Sequence, residues 1–142
     1  MSGRSAQCHA LLQKVSLAEI TAVTSYHVVG EVTHKLMLAE HLANGGSAIG
    51  ARKYLEGHPQ AVRTLIHYWT AVQRILAMNI LFVPIDEATI RTAQAVRVQS
   101  GLLNNDSLIA ASMMRLGLTV IASNDGDFAA VSGFSVFKPT DV

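Results

Sequence analysis

Thr119-Val120-Ile121-Ala122-Ser123-Asn124-Asp125-Gly126-Asp127 decides how this chain reads, because a β-branched apolar run passes directly into an acidic turn. Thr119–Ala122 has the composition of a short buried strand, and Asn-Asp-Gly-Asp is turn chemistry. Before it, Asn104 or Asn105 caps a helix over about Asp106–Leu116. After it, a loop Ser123–Asp127 and a short turn lead to another strand at Ser135-Val136-Phe137.

The same alternation extends toward the N-terminus. A helical pattern covers about Ser5–Leu17, and Ile20-Thr21-Ala22-Val23 reads as a brief strand. Thr24 and Ser25 cap a long helix reaching about Leu42, with Val29, Val32, Leu36 and Ala39 as its apolar stripe. Asn44-Gly45-Gly46-Ser47 turns a corner between helices. Gln60–Met78 is predicted as one helix started by His58-Pro59, with Val62, Leu65, Ile66, Trp69, Val72 and Leu76 on one face. Ile80–Val83 reads as a strand buried on both faces and closed by Pro84. Asp86 caps a helix to about Ser100, and Gly101 stops it. Four short apolar strands between helices predict an α/β fold with one parallel sheet covered on both sides. Ligands of such sheets bind at the carboxyl ends of the strands, beside the N-termini of the following helices.

Residues 1–142 are expected to form a single domain, since half of them are hydrophobic and only 15% are charged. Stretches without charge such as Ile75–Ile85 and Ile20–Gly30 fall well short of the roughly 18–20 apolar residues of a membrane span. No membrane association is expected. Met1-Ser2-Gly3-Arg4 leads into an amphipathic pattern with no apolar h-region, so the expected address is cytoplasmic. Lone Cys8 has neither a disulfide partner nor a CxxC neighbour. The net charge of +1 lacks the basic excess of a dedicated nucleic-acid-binding module. Arg52, Lys53, Arg63, Arg91 and Arg97 read as solvated helix faces and are assigned no RNA contact.

The strand-end rule selects Glu31, Asp106, Asp125 and Asp127 from the ten carboxylates. Ile109 and Met113, three and seven residues beyond Asp106, place that acid on the inward face of its helix. It is either a ligand or a carboxylate stabilised by the helix dipole. Glu31 also forms an ordinary i, i+4 pair with Lys35. Carboxylates gathered without balancing Arg or Lys repel one another unless a divalent cation holds them ionised. An all-carboxylate set suits Mg²⁺ or Mn²⁺, whose usual chemistry here is phosphoryl transfer. His27, Glu31, His34 and His41 share one helix side but do not make the HExxH pattern of a zinc site. GxxxxGK[ST], GxGxxG and GxSxG are absent.

Three segments resemble the motifs of the PIN-domain nucleases, which include the VapC-type toxins. Gly101-Leu102-Leu103-Asn104-Asn105-Asp106-Ser107-Leu108-Ile109-Ala110-Ala111 looks like the family's third acidic motif, and Ala122-Ser123-Asn124-Asp125-Gly126-Asp127-Phe128 is similar to the fourth. Thr24-Ser25-Tyr26-His27-Val28-Val29-Gly30-Glu31-Val32 resembles the second, in which a Ser or Thr starts a helix and a Glu follows. The resemblance implies a three-layer α/β/α fold with a short parallel sheet and a metal-dependent ribonuclease. Glu31, Asp106 and Asp127 carry over as catalytic acids, Asp125 as an extra metal-ligating acid, and Asn124 and Ser25 as supporting polar residues. It also implies Mg²⁺ or Mn²⁺, RNA, a homodimer and an antitoxin that blocks the site.

Family members begin with a central strand ending in an Asp, and no counterpart precedes the Ser5–Leu17 helix. Without it one ligand is lost and a gap opens between neighbouring strands. A start placed too late, a strand from a partner chain, or a degenerate domain would each account for this. The sequence thus supports a PIN-type endoribonuclease toxin, with a catalytically degenerate PIN-like module binding RNA or a protein partner as the alternative.

Overall fold

The computed structural model describes residues 5–141, so the expectation drawn from Met1–Arg4 lies outside the described residues. Its elements are α1 (Ala6–Ser16), β1 (Ala22–Ser25), α2 (Tyr26–Ala43), α3 (Ala51–Gly57), α4 (Pro59–Arg63), α5 (His67–Leu76), β2 (Ile80–Val83), α6 (Glu87–Ser100), α7 (Asn104–Arg115), β3 (Val120–Ala122) and β4 (Ser135–Phe137), with a 3-10 turn at Asp127–Ala130. The fold is α/β, as the alternation predicts, and the helices and short parallel strands suit a three-layer α/β/α arrangement.

Local chemistry explains most boundaries. Ser5, Ser25 and Asp86 cap α1, α2 and α6, their side-chain oxygens accepting from the amides of Cys8, Val28 and Thr89. Gly101 ends α6 at φ 71°, where a Cβ is strained. β1 starts two residues later than the Ile20–Val23 reading, because the turn after α1 runs on through Ala18 at φ 57° and leaves Ile20 partly exposed.

The predicted Gln60–Met78 helix is broken. Pro59 starts α4 in its first turn, but the chain leaves the helix at Thr64 and re-enters it at His67. The Glu40 side chain on α2 takes the first amides of α5, so a tertiary contact outbids continuous helix propensity. Of the predicted apolar face, Leu65 and Val72 are buried, whereas Ile66, Trp69 and Leu76 are exposed.

The four strands do not form one sheet. β1 pairs in parallel with β2, Ala22 opposite Ile80 through Ser25 opposite Val83, and β3 with β4, Val120 opposite Ser135 through Ala122 opposite Phe137. Among the described residues no ladder joins the two pairs. Nor are the strands covered on both faces, since Leu81 is 57% and Val120 67% exposed. Ile121 and Val136 do pack on the main core, where Ala93 and Val96 of α6 meet Leu108, Ala110 and Ala111 of α7 above Phe128 and Val131. Fully buried alanines at 93, 110 and 111 let the two helices approach closely. Each buried valine side chain there contributes about 1.5–3 kcal/mol.

Candidate metal centre

The first turn of α7 carries Asp106. Leu103 occupies the cap position without a side-chain bond, so neither Asn104 nor Asn105 caps the helix as the sequence suggested. Both asparagines are used sideways instead. Asn104 Oδ1 accepts from Arg97 at 3.0 Å, and Asn105 Oδ1 lies 3.2 Å from His27 Nε2. Buried Ser107 ties the turn down, its hydroxyl donating to the Asn104 carbonyl at 2.8 Å and accepting from Arg97 Nε at 3.0 Å. Leu108, Ala110 and Ala111 then anchor the helix in the core, which leaves Asp106 half-buried at its tip.

Asp125 and Asp127 come from the turn after β3. The Asp125 amide donates to Ser123 Oγ at 3.0 Å, and the Asp127 amide to Asp125 Oδ1 at 2.9 Å. These short side-chain turns fix the loop without β-structure. Phe128, 2% exposed, pins its far end to the core.

One carboxylate oxygen from each of Asp106, Asp125 and Asp127 lies within 4.8 Å of the others. Burial pushes the Asp106 carboxyl above its ordinary value, and the charges of Asp125 and Asp127 push it further the same way. The ion pairs among the described residues are Arg52–Glu56, Arg91–Glu87 and Arg115–Asp86, so none neutralises this cluster. Three hard oxygen donors without a bound cationic side chain fit the preference of Mg²⁺ or Mn²⁺.

The other predicted residues are placed differently. Glu31 is exposed on α2 and outside the triad; its charge acts on Arg52, and no ion pair with Lys35 forms. Ser25 is buried, its hydroxyl accepting from the Val28 amide at 3.3 Å. Asn124 is exposed in the acidic turn. Along the histidine side of α2, His27 meets Asn105 while His41 stacks on Tyr54 with ring centroids 5.2 Å apart. Sequence reasoning missed Arg97, Ser107 and His27 as supports of the α7 tip, because their pairings join different elements and leave no local spacing.

No helix among the described residues is long and apolar enough to cross a membrane. No curated protein matches the chain. A solved toxin–antitoxin complex from Klebsiella pneumoniae is similar over 86% of this chain and 100% of its own, at 16% identity and a TM-score of 0.45. The PIN-domain family profile matches residues 4–133. Nearly the whole chain, acidic turn included, lies inside that match, and the protein belongs to the PIN-domain family.

Proposed function

We propose that this protein is a Mg²⁺- or Mn²⁺-dependent endoribonuclease that acts in the cytoplasm as the toxin of a toxin–antitoxin pair. The observation that carries the reading is the convergence of Asp106, Asp125 and Asp127 at the carboxyl end of β3, with no cationic side chain among the described residues paired to them. These three would hold the ion, with Glu31 joining from α2. A bound divalent cation supplies charge to offset that of the phosphodiester and to make a water more nucleophilic.

The chain's own contribution is placement. α7 presents Asp106 from a half-buried tip, and Asp125 and Asp127 are exposed, which leaves them open to an approaching RNA. Asn124 adds an amide donor in the same turn for a phosphate or ribose oxygen. In hydrolysis the bond from water oxygen to phosphorus forms as the bond to the leaving oxygen breaks, and a proton from the water ends on that leaving oxygen. Holding water and phosphate in line is the larger share of the protein's work.

RNA incubated with the chain and Mn²⁺ or Mg²⁺ tests this reading, with EDTA, Asp106→Asn and Asp127→Asn as controls. Cleavage abolished in all three controls is the expected result, and cleavage unchanged in Asp106→Asn overturns the assignment. One observation favours the second reading, a degenerate module that binds RNA or a protein partner: Glu31 stands apart from the triad. Metal-independent RNA binding without turnover would establish it. The homodimer and the antitoxin belong to the same proposal. Ile66, Trp69 and Leu76, 64%, 49% and 41% exposed on and beside α5, are a support for self-association. Sedimentation of Trp69→Glu as a monomer against a dimeric parent checks it.

A further inference from the structure

β1 and β2 with α2–α5 form one group of elements and α6, α7, β3 and β4 another, while α1, outside both, is tied through Ser5 and Gln7 to Thr140 and Asp141 beyond β4. Among the described residues no backbone bond and one side-chain bond crosses between these two groups, His27 Nε2 to Asn105 Oδ1 at 3.2 Å. Its position is specific. His27 is the second residue of α2, one turn before Glu31, and Asn105 immediately precedes Asp106.

The bond is the last link of a relay. Arg97 on α6 donates to Asn104 Oδ1 at 3.0 Å, Asn104 Nδ2 to Asn105 Oδ1 at 3.4 Å, and Asn105 Oδ1 meets the imidazole. With that oxygen as acceptor, His27 Nε2 carries the hydrogen. In a continuous sheet, ladder bonds hold neighbouring strands about 4.8 Å apart and so set the spacing of the loops at their ends. No such ladder joins β1–β2 to β3–β4. Within the described residues the bond from His27 to Asn105 is therefore the direct side-chain hydrogen bond between α2 and the α7 tip.

We propose that His27 is a positioning residue which, through Asn105, sets the separation between the Glu31 segment of α2 and the Asp106–Asp125–Asp127 cluster. It thereby tunes the affinity of that cluster for a divalent cation. The inference rests on the metal-centre reading above and concerns a residue that touches neither ion nor RNA.

The test uses the full chain with Cys8→Ser, spin labels at Lys35→Cys and Met114→Cys, and Mn²⁺ as the probe. His27→Ala is expected to broaden the label-to-label distance distribution and to weaken Mn²⁺ binding about tenfold, the size typical of lost outer supports. His27→Gln, whose Nε2 can donate to the same oxygen, is expected to restore both. Asn105→Ala should match His27→Ala, and the double variant should be no weaker than either alone. An unchanged distance distribution in His27→Ala overturns the inference whatever the nuclease assay shows. A broadened distribution with unchanged Mn²⁺ affinity overturns it too. If the parent binds no Mn²⁺ and behaves like Asp106→Asn, the metal-centre reading fails and takes this inference with it, a result recognisable because His27→Ala would still broaden the distances.

Discussion

The Glu40 carboxylate accepts the Tyr68 amide at 2.7 Å, joining the end of α2 to the start of α5 across 28 residues of chain. It also accepts the amides of Ile66 at 2.8 Å and His67 at 3.0 Å. A buried acid thus satisfies three of the four orphan donors at a helix start and complements its dipole.

Burial disfavours charge on Glu40, but the amides of His67, Ile66 and Tyr68, with the charge of His67, outweigh it and hold the carboxyl below 4.5. Because the folded value is depressed, this contribution is present above the unfolded value and is lost as pH falls through the folded one. Glu40→Gln should lower Tm by roughly 10 °C at pH 7. The difference from the parent should shrink below pH 4, and thermal melts from pH 7 to pH 3 measure it.

Asp106 has the opposite sign. Its folded carboxyl is raised, so its ionisation costs stability in the metal-free protein, and that cost fades as pH falls through the raised value. Asp106→Asn should raise Tm by a few degrees at pH 7 without metal and abolish the Tm rise that Mn²⁺ gives the parent. Cleavage should fall at least about a hundredfold, as for removal of a group central to catalysis. Differential scanning fluorimetry with and without Mn²⁺ separates the two effects.

Asp86 sits at about 2, lowered first by the Thr89 hydroxyl at 2.7 Å, then by the Thr89 amide at 2.8 Å and the Arg115 side chain. Its stabilising contribution is complete above the ordinary value of 3.8 and disappears as pH falls toward 2. Thr89→Val should raise the Asp86 pKa more than Arg115→Met does, because the hydroxyl is the stronger influence. Carboxyl-carbon NMR titration of both variants decides it.

Gly101 at φ 71° ends α6, and a Cβ built there meets no atom within 4 Å. Gly101→Ala should therefore cost about 1 kcal/mol, the strain of a left-handed residue alone. Chemical denaturation should show the midpoint falling with an unchanged m-value.

Much of the acidic site was legible because it is local. Asp125 and Asp127 fall in one turn after an apolar run, and Ile109 and Met113 orient Asp106 inward by helical spacing. Glu31 reads equally well as a family acid, yet it lies outside the triad, because the packing of α2 against α7 is not set by local spacing. The supports of the site were not legible at all. Arg97, Ser107, Asn105 and His27 meet across three helices, and Glu40 acts on amides in another helix.

The sequence by itself determined the α/β class, all four strands to within two residues, the caps at Ser25 and Asp86, the stop at Gly101 and three of the four acids expected to converge, Glu31 being the exception. Each depends on neighbours within a few positions, where periodicity, side-chain oxygens and turn chemistry act. Tertiary structure alone decided that Gln60–Met78 breaks, that Ile66, Trp69 and Leu76 face outward, and that the strands stand as two pairs rather than one sheet. Those outcomes depend on which distant groups claim a backbone amide or cover an apolar face, and such competition is settled only when the elements pack.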